Sequence, residues 1–312
     1  MLNIVSSYGI MSKRALLIGC NYTATPSVKL QGCINDVVNV RNTLIDAYGY
    51  QDSNIYVLRD DDKTRLPTKA NILYAITNII AMSGPNDTVW IHYSGHGTQI
   101  RDINGDETDS QDECIVPCNY NVAGFITDDD LVAIIKNAKC QMILCFDSCN
   151  SGTACDLQYS INYNRGALSA IVNNSRAISG ANIVMLSGCR DPQTSADAYD
   201  TYARQGCGAF TNSLIESLRS NSHNVSLLKL YSDVCFYLQR SGFTQIPVLS
   251  SSKPNPTFSF VRSMPVGAPL STAVKVAGLP VVAAKTKDFV MMPTMNASSK
   301  TVLKNRMNML LF

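Results

Sequence analysis

The sequence predicts an α/β protein built on a mostly parallel central sheet of about six strands flanked by helices. Two apolar runs, Thr88-Val89-Trp90-Ile91 and Met142-Ile143-Leu144-Cys145-Phe146, are continuous rather than alternating, as expected of strands buried on both faces. Each leads within a few residues to a glycine-containing turn, and open α/β sheets collect reacting groups at such carboxyl strand ends. Strand-like and helix-like segments then alternate along the chain, as parallel crossovers require. With 312 residues, 46% hydrophobic and 16% charged, there is enough chain for one large domain with a sizeable core and extensions.

The elements follow in order. A strand over 15–20 precedes an amphipathic helix over 33–47, in which Ile34, Val37, Val38, Val40 and Leu44 recur at helical spacing. Next come a strand over 54–58, a helix over 68–81, the strand over 88–93 and an acidic loop. A helix over 129–137 leads into the strand that ends at Phe146, and a polar linker follows over 158–180. The second part has a strand over 183–186, helices over 210–218 and 226–239, and an extended segment ending near Phe260. This divides the chain into a leader (1–13), a domain (14–262, with a large portion 14–157, the linker and a small portion 181–262) and a C-terminal extension (263–312). Pro265, Pro269, Pro280 and Pro293 break the extension into short pieces, and its end, 301–312, can form a short amphipathic helix.

Chemistry concentrates in two runs, His92-Tyr93-Ser94-Gly95-His96-Gly97 and Asp147-Ser148-Cys149-Asn150-Ser151-Gly152. A thiol is a weak nucleophile until a base accepts its proton, and imidazole does so near neutral pH. The chain has three histidines. His96 lies between two glycines, where a reacting carbonyl can approach the backbone closely. His92 and Cys145, inside their strands, read as core residues, and His223 sits in a polar loop. Cys149 with His96 is therefore the candidate nucleophile and base.

Further segments make a resemblance specific: Ala15-Leu16-Leu17-Ile18-Gly19-Cys20-Asn21-Tyr22, Leu30-Gln31-Gly32-Cys33-Ile34-Asn35-Asp36, Gly124-Phe125-Ile126-Thr127-Asp128-Asp129, Ser187-Gly188-Cys189-Arg190-Asp191 and Gly208-Ala209-Phe210-Thr211. Together with the two runs above, and in the same order, they resemble a metacaspase of the caspase-like clan of cysteine peptidases, from about Arg14 to Phe260. The layout is similar to a type I catalytic core without its prodomain. The resemblance implies a caspase-like fold and a Cys149–His96 dyad, with the backbone N–H groups of Cys149 and Gly97 facing the oxyanion. It also implies an acidic S1 pocket of Asp36 and Asp147, lined by Ser94, and hence cleavage after Arg or Lys. Asp112, Asp128, Asp129 and Asp156 match a regulatory calcium site of the family, and calcium favours such oxygen ligands. One departure is Asn150, where the family usually carries His.

Arg165 and Arg176, in the expected linker, are candidates for self-cleavage, and Lys13-Arg14 is a further basic pair. The loop over 102–109 has an Asp-x-Asn-x-Asp start, but its Gly is misplaced, so an EF-hand is rejected. Cys114 and Cys118 lack a second pair to complete a zinc site. A net charge of +2 without a basic block gives nucleic-acid binding no electrostatic support. No apolar run reaches membrane-span length, and 11 unpatterned cysteines are most simply placed in a reducing cytosol. Peptide or protein substrates with a basic P1 residue, and a monomeric state, are what the resemblance implies. The competing reading is a metacaspase-like pseudoenzyme that acts as a scaffold or protein-binding module, with Asn150 its best argument. A legumain-like or caspase-like enzyme is disfavoured by the acidic pair.

Overall fold

The structure is a computed structural model that describes residues 11–101, 111–148, 155, 157–164, 167–173, 178, 181–188, 197–200, 205–263 and 290–291. In chain order the first half comprises β1 (Lys13–Gly19), α1 (Cys33–Tyr48), β2 (Ile55–Arg59), α2 (Lys69–Ala81), β3 (Thr88–Ser94), β4 (Gly97–Arg101), β5 (Gln111–Ile115), α3 (Tyr120–Ala123), β6 (Ile126–Thr127), α4 (Asp128–Ile135) and β7 (Gln141–Asp147). The second half has β8 (Tyr159–Asn164), β9 (Ala167–Val172), β10 (Ile183–Ser187), β11 (Asp197–Asp200), β12 (Gln205–Gly208), α5 (Ala209–Ser220), β13 (Val225–Ser226), α6 (Leu227–Arg240), β14 (Val248–Ser251), β15 (Ser259–Phe260) and β16 (Val290–Met291).

The central sheet has eight strands in the order β2-β1-β3-β7-β10-β14-β8-β9, not the six or so expected from sequence. The first five are mutually parallel, and β14, β8 and β9 join antiparallel. The expected linker supplies two of the strands, because much of it folds into the β8–β9 hairpin. There Ser160 and Asn162 alternate with Ile161 and Tyr163, so composition alone hides a period-two strand. Lys13 and Arg14 also differ from expectation. They belong to β1, paired with Thr88 and Val89, and Arg14 bridges Asp87 at 2.8 Å, so they are not an exposed cleavage site.

Strand alternation sends one set of side chains to each face. Leu16, Ile18, Ile91, Tyr93, Leu144 and Met185 pack on one side with α2 and α4. Leu17, Trp90, Ile143, Cys145 and Leu186 pack on the other with α1, α5 and α6. Burial on both faces is why the strands read as unbroken apolar runs. Threonine and serine caps fix the helix starts: Thr68 accepts from the Asn71 N–H of α2, and Thr127 from the Asp130 N–H of α4. Among the described residues, no helix is long and apolar enough to cross a membrane. From the C-terminal extension, β16 pairs antiparallel with β11, Met291 opposite Ala198 and Val290 opposite Tyr199. The expected helix over 301–312 lies outside the described residues.

Candidate active site

β3 and β7 are neighbours in parallel register and end together, Ser94 opposite Asp147. His96 follows two residues beyond Ser94, and Cys149 is two residues beyond Asp147 in sequence. Cys149 itself lies outside the described residues, as do Asn150, Asp156, Arg165 and Arg176.

His96 is 5% exposed and gripped on all sides. Its Nε2 is 2.7 Å from the carbonyl oxygen of Val28. A carbonyl only accepts, so Nε2 carries the hydrogen, and in the neutral ring Nδ1 is left as the proton acceptor. The backbone is fixed as tightly. Its N–H donates to Tyr22 Oη at 2.9 Å, while its carbonyl accepts from Tyr93 Oη at 2.7 Å and from the Val116 N–H at 3.1 Å. Gly95 is required by the same arrangement, since a Cβ there would fall 2.5 Å from Tyr93 Oη and 3.1 Å from Tyr22 Oη. Burial pushes the His96 pKa down to about 4, against an upward pull from the Val28 contact. The ring is therefore neutral at physiological pH, with the Nδ1 lone pair free of a proton.

The acidic pair converges from two elements. Asp36 lies in the first turn of α1, and Asp147 is the last residue of β7. Asp36 Oδ2 accepts from Ser94 Oγ at 2.6 Å, and Oδ1 accepts from the Gly208 N–H at 2.8 Å. Asp147 Oδ2 accepts from both the N–H and the Oγ1 of Thr211, at 2.8 and 2.7 Å, and so caps α5. Gly208 is the point of contact: a Cβ there would overlap Asp147 Oδ2 and lie 2.8 Å from Asp36 Oδ2. Both carboxylates thus sit at helix N-termini, where the peptide dipoles favour negative charge. Asp36 and Asp147 are 0% and 4% exposed.

A tautomer-fixed histidine just past the end of β3 and a buried carboxylate pair at the ends of the neighbouring elements agree with what comparison finds. The family model for the metacaspase peptidase C14 domain matches residues 13–158. Metacaspase-1B of Neosartorya fischeri is 37% identical over 291 residues, covering 78% of this chain and 69% of that protein. The chain belongs to the metacaspase family. Metacaspase-1 of Yarrowia lipolytica is 36% identical over 290 residues, again 78% of this chain, which spans 62% of that relative's length. In solved structures, a Geobacter sulfurreducens protein superposes with a TM-score of 0.56 at 22% identity, over 78% of this chain and 95% of its own, and shows the same fold.

The residues that metacaspase resemblance assigns to calcium are only partly brought together. Asp112 in β5 and Asp128 at the start of α4 are buried. Asp128 Oδ2 accepts the Glu113 N–H at 3.0 Å, and Oδ1 accepts that of Asp129 at 2.8 Å. Burial raises the pKa of Cys114, and the charges of Asp128, Asp112 and Glu113 add to it, so all three carboxylates act on one thiol. Asp129 is exposed. Among the described residues, no three His, Cys, Asp or Glu side chains are arranged to hold a metal ion.

Sequence reasoning missed Val28, Tyr22, Tyr93, Gly208, Thr211 and Glu113 as parts of these clusters. Tyr22, Gly208 and Thr211 lie in segments that carried the resemblance, which was the available signal. The Val28 contact is made by a backbone carbonyl and leaves no residue signature.

Proposed function

We propose that this chain is a cysteine endopeptidase that cleaves after Arg or Lys through Cys149 and His96. The observation that carries the reading is the committed imidazole: Val28 holds the Nε2 hydrogen, so Nδ1 is the base, just past the end of the strand next to the one leading to Cys149. In this reading Nδ1 takes the thiol proton and the thiolate attacks the scissile carbonyl. The imidazolium then protonates the leaving amine, and water cleaves the thioester. The backbone N–H groups of Cys149 and Gly97 face the oxyanion. Membership of a peptidase family makes proteins the substrates.

Asp36 and Asp147 form the S1 floor. Ser94, Gly208 and Thr211 donate to the two carboxylates and orient them, and a carboxylate pair in a pocket favours a cationic P1 side chain. Ser94 in this scheme orients Asp36 rather than touching substrate. Calcium is the proposed regulator: Asp112, Asp128, Asp129 and Asp156 would supply the hard oxygen ligands it prefers, and Asp112, Asp128 and Glu113 crowd charge around Cys114. When bound, calcium would neutralise that charge. Self-processing at Arg165, which falls in sequence between β8 and β9, or at Arg176 belongs to the same proposal, as does a monomeric state in a reducing cytosol.

The test is hydrolysis of fluorogenic peptides ending in Arg, Lys or Asp, with calcium or chelator, by the native chain and Cys149→Ala. Calcium-stimulated cleavage after Arg or Lys that is absent in the variant is the expected result. A folded chain that is silent on every peptide would favour the pseudoenzyme reading, with Asn150→His as the next variant.

A further inference from the structure

Tyr22 has no role in the scheme above, yet it is the residue most closely fitted to His96. It follows β1 with φ at 53°, the left-handed region that a bulky side chain avoids, and it is 2% exposed. Such a conformation persists where its surroundings over-determine it, and it concentrates at functional sites. The Tyr22 ring lies 4.7 Å from the His96 ring, centroid to centroid, with 32° between their planes.

Proton accounting shows how the hydroxyl is used. Tyr22 Oη has one hydrogen, and its shortest acceptor is the Val116 carbonyl at 2.7 Å, so its lone pair is what receives the His96 N–H at 2.9 Å. Tyr93 Oη complements it, donating to the His96 carbonyl at 2.7 Å and accepting the Val116 N–H at 3.1 Å. Two hydroxyls thereby hold the two backbone polar groups of one histidine. The loop that carries Tyr22 also carries Val28. It is closed by the Thr25 N–H to Tyr22 carbonyl bond at 2.9 Å, the Leu30 N–H to Asn21 carbonyl bond at 2.9 Å and the Asn21 N–H to Asp60 bond at 2.9 Å. One short loop therefore supplies the ring face, the backbone anchor and the Nε2 acceptor.

We propose that Tyr22 is a positioning residue of the peptidase reaction: its ring shields the imidazole from water and its hydroxyl fixes the His96 backbone, so that Nδ1 is held towards the thiol. This rests on the reading of His96 as the base. Cys20 and Cys33 face the tyrosine pair; burial, with the charge of Asp60, holds the Cys20 thiol well above its ordinary range, and burial does the same for the Tyr22 hydroxyl, so removing the ring changes the solvation of His96 and takes no charge from beside it.

The experiment uses the full chain with Tyr22→Phe and Tyr22→Asn. Asparagine tolerates left-handed backbone while deleting the ring. Steady-state kinetics on an Arg peptide are combined with an NMR titration of the imidazoles, which three histidines keep simple. Tyr22→Phe keeps the packing and loses the anchor: kcat falls roughly tenfold, with KM within about twofold. In Tyr22→Asn the His96 midpoint climbs from about 4 towards the ordinary value near 6.5, and the acid limb of kcat/KM moves with it. A lower melting temperature with wild-type kcat and an unmoved titration assigns Tyr22 to folding and overturns the proposal. If Tyr22→Asn does not fold, an unchanged kcat in Tyr22→Phe overturns it by itself. A native chain without peptidase activity whose His96 titration still moves in Tyr22→Asn places the failure in the proposed function and not in the role of Tyr22.

Discussion

Two histidines on one stretch of chain, four residues apart, separate burial from function. His92, inside β3, is 0% exposed, flanked in register by Leu17 and Cys145, and neither ring nitrogen has a hydrogen-bond partner among the described residues. His96, just past the strand end, is nearly as buried, yet its Nε2 and both backbone polar groups are engaged. Burial depresses both pKa values, to about 3 and about 4. A depressed pKa therefore does not single out the proposed base. The hydrogen bond that chooses the tautomer does, and it forms where the strand gives way to loops that can bring a carbonyl to the ring.

The comparison can be tested from its largest expected effect downwards. His96→Gln is expected to lower kcat by about a thousandfold or more while the fold survives, whereas His92→Leu keeps kcat/KM within about twofold. Equal losses in the two variants would erase the distinction. At the same strand end, Gly208→Ala forces a methyl group between Asp147 and Asp36. Cleavage after Arg is expected to fall about a hundredfold, with a lower melting temperature, because the overlap displaces both buried carboxylates from their common geometry. An unaltered Arg preference would remove the pair from the S1 site.

Acid sensitivity sharpens the contrast further. The unfolded chain binds a proton at each histidine below about pH 6.5, whereas the folded chain does so only below about 4 at His96 and about 3 at His92. Between these limits the unfolded state holds more protons, so stability falls as pH falls, by on the order of a few kcal/mol. Urea denaturation at pH 7 and pH 4.5 reads this, and His92→Leu should lose less stability on acidification than the native chain. The smallest effect is at neutral pH, where His92→Leu removes an unpaired buried polar ring and is expected to raise stability by about 1 kcal/mol. A marked loss would reveal a polar role for His92.

Much of this was legible beforehand. Continuous apolar runs give the parallel strands, and the glycines around His96 announce a tight approach that the two tyrosine hydroxyls explain. The converging positions of Asp36, Asp147 and Ser94 follow from resemblance, since composition alone would leave Asp36 on a solvated helix face. The eight-strand count was illegible because β8 alternates apolar with polar residues. The grip on His96 was illegible because it consists of a backbone carbonyl, a positive φ at Tyr22 and hydroxyls from distant segments, none of which sequence periodicity encodes.

The order of the central sheet also sets a timetable for the ribosome. β14, residues Val248–Ser251, lies between β10 and β8, so the β8–β9 hairpin reaches the sheet only through a strand synthesised some 75 residues after it. At 5–20 residues per second this is a delay of roughly 4 to 15 s. Throughout it Ile161 of β8, which the finished fold buries opposite Leu249 of β14, lacks the strand that covers it. Nascent chains stalled before residue 248 should therefore bind holdase chaperones, and release should coincide with emergence of β14 from the exit tunnel.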